Sequence, residues 1–128
     1  MRFKGNSGVV LVLLAAAAGL LAYAAAPDIT GTWIGKTDVP DVGIDELTLV
    51  FKKTPDGYVG VFSDSLGQLA KDTELKDIKL EGSQVTFNFP IIDGTILQGT
   101  LKIDGDKMTG AWTHPEGNSA TWTFERKK

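Results

Sequence analysis

From Gly31 onward, the chain carries short runs in which apolar and polar residues alternate. In one run Leu47, Leu49 and Phe51 fall on one side, with polar residues between them. A period of two with one apolar face is typical of half-buried antiparallel strands. Turn signals such as Asp93-Gly94 recur about every ten residues, the spacing of a meander. The pattern predicts about eight strands, at residues 31–37, 45–53, 58–63, 75–80, 84–89, 96–103, 107–114 and 120–127.

The stretch 72–80 has the least regular pattern. Its apolar residues Leu75, Ile78 and Leu80 fit a helical period in part and a strand period in part. We predict a strand there.

Eight strands in so short a chain favour closure, because a closed barrel leaves no unpaired edge. Gly60, Gly99 and Gly110 lie inside predicted strands, where glycine marks a bend or a close approach. We therefore predict an all-β fold, an up-and-down antiparallel barrel. Its many inward aromatic residues predict a largely filled interior with a shallow pocket at one mouth.

The last predicted strand places Trp122, Phe124 and Arg126 on its inner side. A buried arginine needs a partner, and pairing of the last strand with the first would bring Trp33 beside it. A guanidinium over an indole gains about 0.5 to 2 kcal/mol. We predict this pair at one end of the barrel.

Gly31-Thr32-Trp33 on the first strand, with Arg126 on the last, resembles the structural signature of the calycins. This group includes lipocalins, fatty-acid-binding proteins and avidins. The resemblance implies a calycin/lipocalin-like barrel and structural roles for Gly31, Trp33 and Arg126.

A second resemblance extends over most of the chain after the leader. The stretches 28–33, 47–51, 56–58, 63–65, 96–101 and 108–113 are similar to the small β-domain found ahead of the hydrolase domain in some exported bacterial α/β-hydrolases. The catalytic triad of those proteins lies in the hydrolase domain. The resemblance therefore implies a scaffold or binding role and transfers no catalytic residue.

Residues 1–24 have the form of a signal peptide. Arg2 and Lys4 precede an uncharged apolar run, and Ala22-Tyr23-Ala24 matches the small-x-small pattern of a cleavage site. We predict cleavage after Ala24, a single barrel domain at 25–128, and a periplasmic or secreted location. The alternative is an uncleaved membrane anchor, because the apolar run is about the shortest that spans a bilayer.

Net charge limits the classes of partner, and cysteine content bears on the cellular location. The formal net charge is -3, and loss of Arg2 and Lys4 with the leader would make it -5. An acidic surface argues against nucleic acid and anionic membranes as partners. The chain has no cysteine, which is compatible with an exported bacterial protein, since disulfides are frequent there without being required.

Four residues are predicted to contact a ligand at one barrel mouth: Tyr58, Phe62, Trp112 and His114. The alternative for His114, the single histidine, is a partly exposed residue at a strand end. One histidine without cysteine supports neither a zinc site nor a Ser-His-acid set. We predict no catalytic residue, no metal site and no cofactor.

Acidic residues cluster around the first hairpin, at Asp38, Asp41, Asp45 and Glu46. A calcium site is the functional alternative. Their spacing differs from the regular Asp-x-Asp-x-Asp-Gly loop, which argues against it.

The leading hypothesis is an exported, non-catalytic module that binds a small apolar or amphipathic ligand at one mouth. The alternative is a protein-interaction, inhibitor or accessory module acting through its outer face and through loops 39–44 and 63–71. Exposure of Leu66 and Leu69 would favour a partner surface, and their burial would favour a lid. A third hypothesis, a small hydrolase, predicts that activity is lost on His114→Ala.

Overall fold

The computed structural model describes residues 27–128, which form nine antiparallel strands in a nearly closed barrel. The strands are β1 (Gly31–Val39), β2 (Gly43–Thr54), β3 (Gly57–Asp64), β4 (Thr73–Glu74), β5 (Lys76–Glu81), β6 (Gln84–Pro90), β7 (Ile96–Asp104), β8 (Lys107–Thr113) and β9 (Ser119–Arg126). The predicted leader lies outside the described residues. Between residues 27 and 128 there is no helix long and apolar enough to cross a membrane.

The strand order confirms the up-and-down barrel. Each strand pairs with its neighbours along the chain, except that β4 and β5 do not pair with each other, and β1 also pairs with β9. The resulting order is β4-β3-β2-β1-β9-β8-β7-β6-β5. Trp33 lies directly opposite Arg126 in the β1–β9 ladder. The first and last strands therefore meet as the sequence pattern predicts.

The predicted strand at 75–80 corresponds to β5, and an additional two-residue strand, β4, precedes it, so the described residues hold nine strands. β4 pairs with β3, whereas β5 pairs with β6. Between them the backbone N–H of Leu75 donates to the Gly60 carbonyl at 2.9 Å. The segment thus changes partners partway along and nearly closes the ring.

A bulge in β5 explains the irregular pattern of this segment. The register against β6 shifts between Lys76 and Lys79, and Asp77 has a φ of 55°. An extra residue in one strand of a pair breaks the period of two. Leu75 and Ile78, three residues apart, therefore both pack against the core.

Aromatic rings fill the middle of the barrel. The Phe62 ring centroid lies 5.1 Å from that of Phe89 and 5.8 Å from that of Trp122. A Cβ on Gly99 would lie 2.7 Å from the Phe87 ring and 2.8 Å from the Trp122 ring. Glycine at this position therefore makes room for the two rings.

One end of the barrel is closed by residues 27–30. Ile29 is fully buried there, and its carbonyl accepts a hydrogen bond from Trp33 Nε1 at 3.0 Å. The Arg126 guanidinium carbon lies 4.3 Å from the Trp33 ring centroid. Arg126 also donates to the Thr30 carbonyl and, at 3.0 Å, to the Asp28 carbonyl. One arginine thus ties the entering segment to the last strand.

Candidate functional site

The other end of the barrel contains a cavity of about 160 Å³. It lies where β1 ends and β2 begins, at the opposite end from Arg126. Its lining residues are Thr37, Val39, Asp45, Leu47, Phe62, Gln68, Leu69, Phe89, Ile91, Leu97, Trp112, His114 and Trp122. The cavity is therefore bounded mostly by apolar and aromatic side chains.

The structure brings three of the four predicted site residues to this cavity and leaves one out. Phe62, Trp112 and His114 line it. Tyr58 lies at the closed end, where its hydroxyl donates to Asp28 Oδ1 at 3.4 Å. Tyr58 and Phe62 share the inner parity of β3, but four residues separate them by about 13 Å along a strand.

Trp112 is held in the wall by a buried polar pair. Its Nε1 donates to Thr37 Oγ1 at 2.9 Å, and that hydroxyl donates in turn to the Thr121 carbonyl at 2.9 Å. The indole N–H and the hydroxyl proton are both used within the protein. This part of the wall therefore presents the apolar indole surface to the cavity.

His114 follows β8 at the rim, and its side chain is 19% exposed. Its Nδ1 accepts a hydrogen bond from the Glu116 backbone N–H at 3.1 Å. In a neutral imidazole whose Nδ1 accepts, the proton sits on Nε2. The ring nitrogen that remains for a ligand is then a donor.

Asp45 is a charged residue of the cavity wall that was not among the four predicted ligand contacts. It is only 2% exposed. Its Oδ1 accepts hydrogen bonds from the backbone N–H of Ser65 at 3.0 Å, the Ser65 hydroxyl at 3.2 Å and the backbone N–H of Leu66 at 3.0 Å. A carboxyl group thus anchors the loop that follows β3 to the cavity wall.

The Asp45 carboxyl has an altered acidity. Burial, followed by a hydrogen bond with the Asp64 carboxyl and the negative charge of Asp64, raises the pKa of Asp45 to about 6. Hydrogen bonds from Leu66 and Ser65 oppose this rise in pKa. Above that pH the cavity is lined by a buried negative charge.

The loop at 65–72 covers one side of the mouth. Asp64 accepts hydrogen bonds from the backbone N–H of Gln68 at 2.8 Å and of Leu69 at 3.2 Å. The Gln68 carbonyl accepts from the Ile92 N–H at 2.8 Å, which ties this loop to the one before β7. Leu69 is 7% exposed and lines the cavity, whereas Leu66 is 40% exposed. Leu69 thus covers the cavity, whereas Leu66 lies on the outer surface.

A parity signal in the sequence identifies Asp45. It precedes Leu47, Leu49 and Phe51 at intervals of two, so it continues their inward side to the start of β2. Leu69 and Gln68 have no such signal, because a loop carries no period. Phe89 and Trp122 have inward parity, which does not distinguish a core residue from one that also borders a cavity.

The acidic cluster of the first hairpin separates in three dimensions. Asp45 points into the barrel, while Asp38, Asp41 and Glu46 are exposed. Within residues 27–128 there is no group of three or more histidine, cysteine, aspartate or glutamate residues that could hold a metal ion.

Comparisons with known proteins support the fold. No protein-family model matches the chain, and no curated protein matches it in sequence. Among solved structures it is similar to a de novo designed fluorescence-activating β-barrel, with 20% identity, a TM-score of 0.57, and coverage of 77% of this chain and 94% of that one. It is also similar to a point mutant of the fluorescent protein UnaG, with 12% identity, a TM-score of 0.50, and coverage of 77% of this chain and 95% of that one. These similarities support the fold of a small antiparallel β-barrel.

Proposed function

We propose that this protein is a non-catalytic binding module that takes a small apolar ligand into the cavity at the barrel mouth. The observation that carries the proposal is the cavity itself, an apolar space of about 160 Å³ beside Phe62 and Trp112 in an otherwise filled barrel. The barrel fold is compatible with a ligand at a mouth. We propose Phe62, Trp112 and His114 as contact residues and omit Tyr58.

The size of the cavity limits the ligand. An apolar cavity of about 150 Å³ in another protein stays dry and binds benzene, whereas sites for drug-sized ligands have volumes of about 300 to 1,000 Å³. We therefore propose a ligand whose buried part is about one aromatic ring or an equivalent short aliphatic group.

The test is a titration with 2-phenylethanol, a neutral ring-sized probe, followed by protein-observed NMR. We expect saturable shift changes at the amides of Phe62, Leu69 and Trp112. The amides of Tyr58 and Arg126 at the closed end should move little.

A pair of loop variants supplies the control. Leu69→Trp should fill the cavity and weaken binding by about tenfold or more, because no space remains for the ring. Leu66→Trp adds the same bulk to the outer side of the loop and should leave binding near that of wild type. Absence of saturable shifts in the wild type, or equal binding by both variants, would contradict the proposal.

The non-catalytic part of the proposal is tested at His114. Within residues 27–128, no serine or threonine hydroxyl is hydrogen-bonded to His114. A Ser-His nucleophile needs that bond. Hydrolysis of ester substrates that disappears on His114→Ala would overturn this part, and would favour the relation to hydrolase-associated domains that the sequence resemblance implies.

A protein partner is the second candidate. It is favoured by Val42, Ile44 and Leu66, which are apolar, 54%, 57% and 40% exposed, and near the mouth end. This candidate predicts that an Ile44→Ser variant loses a specific partner while it still binds 2-phenylethanol. Binding of the partner that is unchanged in the variant would exclude this surface.

We also propose that the protein is exported, on the basis of the leader pattern at 1–24. Mass determination of the protein recovered from a periplasmic fraction would test cleavage after Ala24, and a full-length mass in the membrane fraction would favour the anchor instead.

A further inference from the structure

The ionisable residues that line the cavity are one acid and one histidine. Asp45 contributes a buried carboxyl, and His114 contributes an imidazole at the rim. In the described part of the chain, no lysine or arginine lines this space. A ligand carrying a carboxylate would therefore find an acidic neighbour without a lysine or arginine counter-ion.

Asp45 is hydrogen-bonded both to the covering loop and to the neighbouring Asp64 carboxyl. The three hydrogen bonds from Ser65 and Leu66 all end on Oδ1. An ionised carboxylate has about four lone-pair sites over its two oxygens. The Asp64 carboxyl can share a hydrogen bond with Asp45 only while one of the two groups is protonated. When both are ionised, a further donor to Asp45, which is only 2% exposed, has to come from within the barrel or from the cavity.

The nearest charge has the same sign. Asp64 adds a second carboxyl next to that of Asp45. On the outer face, the exposed Glu46 lies opposite the exposed Lys36, so those two charges offset each other. The Arg126 guanidinium is at the other end of the barrel and is engaged by Asp106 at 3.0 Å. A buried carboxylate in such surroundings favours a cation, because pairing offsets the cost of burying the charge.

The aromatic walls add to this preference. Phe62, Phe89, Trp112 and Trp122 line the cavity. An ammonium group near aromatic faces is attracted by their electron density, most strongly where water is excluded. The rings also fit the apolar part of a small molecule.

We propose that the ligand is a small apolar amine whose ammonium group binds the Asp45 carboxylate while its apolar part occupies the cavity. This inference rests on the proposed function and specifies the ligand class for the same site. Such a ligand carries one cationic N–H donor on an apolar group about the size of one aromatic ring.

The acidity of the site gives a second readout. The titratable group next to Asp45 is Asp64 at the end of β3, and His114 after β8 lines the same cavity. Because Asp45 has a pKa of about 6, part of its population carries a proton near that pH. Binding of an ammonium group should expel this proton.

The experiment compares three probes with the same ring at pH 7.5: 2-phenylethylamine, 2-phenylethanol and 3-phenylpropanoate. We expect the amine to bind at least about tenfold more tightly than the alcohol, as a charge-assisted hydrogen bond implies. The carboxylate should bind most weakly. Asp45→Asn should collapse the amine-to-alcohol ratio towards one, whereas Glu46→Gln, which removes a carboxylate from the outer face of the same strand, should keep it.

Calorimetry in buffers of different ionisation enthalpy keeps the test decisive if Asp45→Asn does not fold. At about pH 6, amine binding to the wild type should release a fraction of a proton, and alcohol binding should release none.

The outcomes separate the two proposals. Alcohol binding without an amine preference, a preference that survives in Asp45→Asn, or amine binding without proton release overturns the amine proposal and leaves the proposed function standing. Failure of all three probes to bind overturns the proposed function and the amine proposal together.

Discussion

The two ends of the barrel use their charged groups in opposite ways: Arg126 is partly exposed, at 26%, whereas Asp45 is buried. At the closed end, Arg126 stacks on Trp33 and donates to the backbone carbonyls of Asp28 and Thr30. At the open end, Asp45 holds the covering loop through one carboxylate oxygen and borders a cavity. The charge at the closed end is matched by protein partners, whereas the charge at the open end has capacity for another.

This contrast bears on the proposed binding site at the open end. A buried charge that lacks a partner raises the free energy of the unliganded state. Apolar rings beside an empty space likewise lose contacts that they would make in a filled core. Both features of the mouth favour occupation by a ligand.

The largest effect should come from removing the tryptophan of the closed end. Trp33 is fully buried, so Trp33→Ala should lower the free energy of unfolding by about 4 kcal/mol. Trp112→Ala at the mouth should cost at least about 1 kcal/mol less, because one side of that ring already borders the cavity. Urea denaturation of both variants measures the difference. Equal losses would show that the two ends are packed alike.

Arg126→Leu should have the next largest effect. It keeps an apolar side chain over Trp33 but leaves two backbone carbonyls without their donor, so we expect a loss of about 2 kcal/mol. The control is Lys107→Met on β8, since Lys107 is 66% exposed and pairs with Glu125 at 3.9 Å. It should change stability by less than about 0.5 kcal/mol. A similar loss in both variants would mean that the guanidinium contacts contribute little.

The smallest effect is a pH dependence located at the mouth. The pKa of Asp45 is raised from 3.8 to about 6 on folding, so the folded state binds this proton more tightly than the unfolded state does. Proton binding therefore adds to the free energy of unfolding at low pH, and this contribution is lost as the pH rises through about 6. Between pH 5 and pH 7.5 the free energy of unfolding should fall by about 1 kcal/mol.

Comparison with two variants isolates this contribution. Asp45→Asn should lack the decrease, because an amide does not titrate, and Glu46→Gln should retain it. Urea denaturation at both pH values provides the measurement. The predicted sign would be wrong if the free energy of unfolding of the wild type rose from pH 5 to pH 7.5 relative to that of Asp45→Asn.

Much of the barrel could be predicted from alternation alone. The period of two locates every long strand, and the parity of β9 places Arg126 against Trp33. The bulge at Asp77 marks the limit of this reasoning, because one extra residue inverts the parity of everything that follows it. That is why 72–80 fits no single period.

Three of the four predicted ligand contacts line the cavity, and one lies at the other end of the barrel. Inward parity selects residues that face the interior, and Phe62, Trp112 and His114 meet at the mouth because the strand register brings them to the same end. Tyr58 has the same parity and lies at the other end. Parity gives the side of a strand on which a residue lies, and it gives no height along the barrel.

The all-β architecture and the inward or outward side of each strand residue follow from local alternation and turn residues. The pairing of the first and last strands was inferred from closure of the sheet and from the need of Arg126 for a partner. Three features of the open end could not be predicted from the sequence. Asp45 lies beside Asp64, Leu69 covers the cavity while Leu66 faces outward, and an open space remains in the barrel. Those features depend on hydrogen bonds between residues far apart in the chain, and on how side-chain volumes fill a shared interior. Neither quantity is contained in the periodicity of a single strand.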